Sequence, residues 1–177
     1  MIAESSYWKE PLIEMADRLR SLKNVTDLSE GQQVQVERDI FIGFYSVRKL
    51  FDAIAKVSDA TKAMKAPLEW YPNRSPVTWL NAHRLTEIYD LGNPKADVKD
   101  MRFICGRIIH SFIFAPCMDD HGLAGIFFTS DIDRKSKLYF LRVDEVIKIF
   151  EQVGNDYPSS IEWTKDEKTG TETTIVK

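Results

Sequence analysis

The side chains able to do chemistry crowd into one short stretch: His110, Ser111, Cys117, Asp119, Asp120 and His121. A thiol with a neighbouring imidazole can act as nucleophile and base, and Cys117 has His110 and His121 nearby in sequence. That chemistry also needs an orienting group and an oxyanion hole, and the sequence writes neither. Carboxylates and imidazole suit a divalent cation, so Asp119, Asp120 and His121 with Asp131 and Asp133 form a second candidate. Their spacing matches no metal motif, because Lys135 stands where an EF-hand loop needs an oxygen ligand. Met118 to Gly122 reads more simply as a hairpin turn, since Asp bonds its own backbone and Gly accepts positive φ. No metal is therefore expected. GxGxxG, GxxxxGK[ST], GxSxG and HExxH are absent from the sequence, and no cofactor is expected either.

His110 is the best single candidate. Its titration range suits acid–base work near neutral pH. Arg107 lies one helical turn earlier, and Arg102 sits about 80° around the same helix. A His beside Arg can serve a phosphodiester, with the imidazole moving the proton and the guanidinium neutralising charge. His110, Arg107 and Arg102 are thus the expected set for a metal-independent RNase or phosphodiesterase. The plainer reading is that His110 caps its own helix, where the dipole favours it.

The elements that must hold these residues follow from periodicity. Val98, Met101, Cys105, Ile108 and Phe112 step by 3 and 4, which predicts a helix from an Asp97 cap to about 110. Residues 111–115, 123–130 and 138–141 are short, apolar and broken by turns, which predicts a small antiparallel meander over about 111–141. Asp144 is expected to cap a further helix through Val153.

Upstream, Pro11 suits a helix start, and Leu12 to Leu22 mark one face through about Lys23. Ser29 to Gln32 is a capping box. It opens a helical pattern of Val36, Ile40, Phe44, Val47, Phe51 and Ile54. This predicts a central rod over about 30–57, roughly 42 Å long at ~1.5 Å per residue. Ser58–Asp59 opens a short helix. Residues 66–77, with three prolines, are expected to be a loop, and Asn81 to Leu91 a helix. The fold expected is α+β, with a helix-rich body around the rod, the meander and a C-terminal helix. One domain is expected over 1–177: a mainly helical half to 95, a helix–meander–helix stretch over 96–157, and a polar tail or hairpin over 158–177. The hairpin would turn at Lys168–Thr169–Gly170.

A helix-rich chain with a prominent central helix and a late helix ending in His resembles the HEPN superfamily of small bacterial RNases and their inactive relatives. That family's motif is Arg, four residues, then His. Here Cys105 stands five before His110, and Ala53 stands five after Arg48, so the motif is absent. The resemblance covers the helical layout, and what it implies is an RNase role centred on His110.

Composition narrows the classes. With 24 basic and 27 acidic residues the chain carries −3, so bulk charge gives no DNA signature, while RNA binding through a local patch stays open. Two cysteines without CxxC point to a reducing compartment, and the first residues lack a signal-peptide pattern. No apolar run reaches the ~18 residues of a membrane span. A cytoplasmic protein is expected. Two functions are carried: an interaction or regulatory module, as an assembly subunit or a homodimer, and the RNase. Self-association is expected from the long helix, apolar over more than a third of its circumference, with Trp70, Tyr71 and Trp79 as the expected interface, since aromatics concentrate at interface cores.

Overall fold

The computed structural model describes residues 2–167 and 169–177. Its centre is a five-stranded antiparallel sheet, ordered β2-β1-β5-β4-β3. In chain order the elements are α1 (Ser6–Leu22), α2 (Glu30–Asp52), α3 (Asp59–Lys62), β1 (Lys65–Pro72), α4 (Leu85–Ile88), β2 (Lys95–Asp100), α5 (Met101–Ile109), β3 (Ser111–Asp119), β4 (Gly122–Ser130), β5 (Lys137–Arg142), α6 (Val143–Gly154), β6 (Ile161–Lys165) and β7 (Glu172–Val176). The class is α+β, but the expected architecture is corrected in two places.

First, no rod spans 30–57. The capping box forms as read, with Ser29 and Gln32 bonding each other's backbone N–H. The helix nonetheless stops at Asp52, because Ala53 is extended and Ala55 sits at φ 56°. Ile54, counted in the apolar stripe, is 82% exposed. Ile54 keeps the helical period but lies between Ala53 and Ala55, so the spacing alone does not reveal the break.

Second, the sheet is larger than a meander over 111–141. Strands β3, β4 and β5 lie where expected, but β1 and β2 extend the sheet past β5. β1 falls in the stretch read as a loop. Its prolines fit because the two neighbours overlap only partly. β2 pairs with residues 65–70 and β5 with residues 69–72. Pro67 and Pro72 each sit where β1 has one neighbour, the place where a missing N–H costs no ladder bond. β2 takes the first turns of the expected 97–110 helix. Its sequence KADVKD alternates, Val98 points to solvent, and Asp100 rather than Asp97 caps α5 by accepting the Phe103 N–H at 2.7 Å.

Each face of the sheet has its own core. On one face α1, α2, α5 and α6 pack over Leu68, Tyr139, Leu141, Ile126 and Phe128. α1 and α6 form the tightest helix pair, and burying each of their large apolar side chains is worth ~1.5–3 kcal/mol. α2 meets α6 at Gly43, where any Cβ would run into the buried Phe150 ring. The other face carries Tyr71, Leu138, Phe140 and Ile113, covered by Val77, Ile88 and Tyr89 from the 73–94 excursion. The helix expected over 81–91 shrinks there to the single turn α4. The tail pairs β6 with β7 as a hairpin and docks through the Val176 N–H on Asp59 at 2.9 Å. Lys168, in its expected turn, lies outside the described residues. No helix among the described residues is long and apolar enough to cross a membrane.

Candidate functional site

His110 ends α5, its N–H donating to the Gly106 carbonyl at 3.2 Å. Its ring is exposed and has no polar partner among the described residues. The two arginines expected beside it are committed elsewhere. Arg107 pairs through Nε with Asp133 and lies over the Phe103 ring, 4.8 Å from its centroid. Arg102 is eight residues away at the other end of α5, roughly 12 Å along the axis at ~1.5 Å per residue. Its Nη2 donates to Asp52 Oδ1 at 3.1 Å. Neither arginine is therefore a free cation beside His110.

The acidic turn is built as a turn. Asp119 Oδ1 accepts the His121 N–H at 2.7 Å and the Gly122 N–H at 3.1 Å. Gly122 takes φ 128° against the Lys23 carbonyl, a position closed to any side chain. Asp131 pairs with Arg134 at 3.3 Å and Asp133 with Arg107, so three of the four carboxylates of that candidate set have separate partners. No group of three metal-ligating side chains occurs among the described residues. Burial pushes the Cys117 thiol up, and Asp119 adds to the effect, which disfavours a reactive thiolate.

The three expected interface aromatics do not share a surface. Trp70 sits half-buried on the helical face with Lys137 Nζ 4.3 Å from its ring centroid. Tyr71, the next residue, faces the opposite core and donates its hydroxyl to Glu69 at 3.0 Å. Burial first and then Glu69 push its phenol up to about 12. Trp79 stands exposed on the excursion.

A different surface has the character of an interface. At ~100° per residue, positions 34, 38, 41, 42, 45 and 49 of α2 lie within about 100° of one another. Along this stripe Val34 is 48% exposed, Ile42 48% and Tyr45 45%. Phe41 borders the stripe half-buried against Phe114, and Trp8 of α1 extends it, its ring 6.5 Å from that of Tyr45. Lys49 Nζ lies 5.4 Å from the Tyr45 centroid. The buried face of α2 runs through Val36, Ile40, Phe44 and Val47, and the wide apolar arc of the helix reaches the surface at Val34, Ile42 and Tyr45 rather than at the expected Trp70, Tyr71 and Trp79. The signal is present in the sequence: the apolar arc of α2 is wider than one core contact uses.

No family model matches the chain, and neither a curated protein nor a solved structure matches it.

Proposed function

We propose that this protein is a non-catalytic interaction module that pairs with a second copy of itself through the outer stripe of α2. The supporting observation is the row of Val34, Ile42 and Tyr45, large apolar side chains left roughly half exposed on one helix face. Single exposed apolar residues are ordinary, whereas a contiguous row rimmed by charge marks a binding surface. Charge favours a second copy in antiparallel orientation. Glu30, Glu37 and Arg38 leave one negative charge toward the amino end of α2, and Arg48, Lys49 and Asp52 leave one positive charge toward its carboxyl end. An antiparallel partner brings the acidic end of one helix to the basic end of the other, while a parallel one stacks like on like. With the two-fold axis at Phe41 and Ile42, Arg38 of each copy faces Tyr45 of the other, a favourable cation–π arrangement.

Site-directed cross-linking tests this. In a Cys117→Ser background, Ile42→Cys places its thiol near the axis and should form a disulfide-linked dimer under mild oxidation. Lys49→Cys, far from its own counterpart in the antiparallel pair, should remain monomeric. Equal cross-linking of both variants would overturn the orientation, and no cross-linking of Ile42→Cys would overturn the interface.

A further inference from the structure

The amino end of α5 opens onto a hollow of about 250 Å³ between α2, α3 and α5. Three cations from three elements line it: Arg48, Lys62 and Arg102. Their convergence runs against a chain whose net charge is −3. Asp52 joins two of them, accepting Arg48 Nε on Oδ2 at 2.7 Å and Arg102 Nη2 on Oδ1 at 3.1 Å. A guanidinium carries five N–H donors, so each arginine is oriented by Asp52 and keeps donors to spare. The Lys62 ammonium has no hydrogen-bond or ion-pair partner among the described residues. Asp100 also lines the hollow, but its carboxylate is engaged as the α5 cap. Three cations against Asp52 and Asp100 leave one positive charge in excess. The floor is apolar: Met101 and Cys105 are each 1% exposed, and Phe51 is half-buried.

We propose that this hollow binds a small organic phosphate, its oxyanion held by Arg48, Lys62 and Arg102 and its apolar part resting on Phe51, Met101 and Cys105. Planar guanidinium forks match phosphate oxygens two at a time, and the lysine adds a compact charge without fixed geometry. The volume equals the share of roughly eight waters at ~30 Å³ each. That suits one phosphoryl group and one ring or short chain. The hollow is independent of the α2 outer stripe, so either assignment can fail alone.

The test is a titration of the isotope-labelled full chain, followed by backbone amide shifts, with phenyl phosphate, inorganic phosphate and phenylacetate. Phenyl phosphate should give saturable shifts clustered around residues 48, 62 and 102, with dissociation in the millimolar range or tighter. Inorganic phosphate, which leaves the apolar floor bare, and phenylacetate, which has fewer charged oxygens, should each bind at least several-fold more weakly. Lys62→Gln and Arg102→Gln, both at partly or fully exposed positions, should each weaken phenyl phosphate about tenfold, the worth of one charge-assisted hydrogen bond. Their melting temperatures should stay at the wild-type value. Absence of saturable shifts, equal binding of inorganic phosphate or of phenylacetate, or undiminished binding by the Lys62→Gln/Arg102→Gln double variant would each overturn the proposal.

Discussion

Helices α2 and α6 pack against each other in the same core, yet they treat their apolar residues differently. α6 buries Val146, Ile147, Ile149, Phe150 and Val153 and turns only Asp144, Lys148 and Gln152 fully outward. Every apolar side chain it has is spent inside the monomer. α2 buries a comparable inner stripe through Val36, Ile40, Phe44 and Val47, then carries a second row outward. The difference separates what folding needs from what it leaves over. Changes on α6 and the inner side of α2 should act on stability, and changes on the outer row should act on association.

The largest effect belongs to the shared seam. Phe150 is fully buried, with its ring 5.2 Å from that of Phe44. Phe150→Ala should cost ~3–5 kcal/mol by urea denaturation, from lost burial and the cavity left behind. Gly43→Ala pushes a methyl into the same ring and should cost ~1–3 kcal/mol. Smaller side chains at 150 should partly rescue it, and full additivity in the Gly43→Ala/Phe150→Leu pair would contradict the contact.

Next in size is the outer row. Ile42→Glu or Tyr45→Glu should leave unfolding free energy within ~0.5 kcal/mol, as solvent-facing substitutions do. Either should weaken self-association by at least ~30-fold, since a hot-spot contact is worth ~2 kcal/mol or more. A loss of stability equal to that of a core change would dissolve the distinction between the two rows.

The buried core also predicts a pH response. Burial pushes the Cys105 thiol up to about 12. Burial, then Asp133, pushes the Tyr139 phenol up to about 12, and Tyr71 behaves alike. These acids keep their protons when folded and lose them earlier when unfolded. Their contribution is fully present below the unfolded values, near pH 9 for the thiol and 10 for the phenols, and is lost as pH rises toward about 12. The urea midpoint should therefore fall progressively above about pH 9. A midpoint flat to pH 11 would contradict the burial of these groups. In native protein at pH 8, thiol reagents should modify Cys117 well before Cys105.

The smallest effect concerns His110. At this exposed helix end, His110→Gln should change stability by ~1 kcal/mol or less. Purified wild-type protein should cleave no RNA, because Arg107 is held by Asp133 and Arg102 stands at the opposite end of α5 from His110. Turnover that falls ~100-fold in this variant at unchanged melting temperature would restore the acid–base role.

These contrasts also show what was legible in the chain. The capping box at Ser29, the inner stripe of α2, the α6 stripe and strands β3 to β5 could be read because each obeys a local period. β1 and β2 could not. Pro67 and Pro72 argue locally against a strand, and only the offset pairing of two neighbours makes them harmless. The spacing of Val98 and Met101 fits a helix as well as it fits a strand followed by a helix, and the true cap at Asp100 decides between them. Among the candidate site residues, His110 was placed correctly at a helix end. Its supposed partners were not, since Asp133 and Asp52 reach them from distant parts of the chain. The hollow lined by Arg48, Lys62 and Arg102 draws on three elements, and no single window of sequence contains it.

Sedimentation equilibrium on the wild type beside the Ile42→Glu/Tyr45→Glu double variant tests self-pairing through α2 most directly. The wild type should sediment near the 20.4 kDa chain mass at low concentration and approach twice that mass as concentration rises through about 100 μM, while the double variant holds at 20.4 kDa throughout. A wild type that stays at 20.4 kDa to about 0.5 mM, or a double variant that associates as the wild type does, would contradict the account.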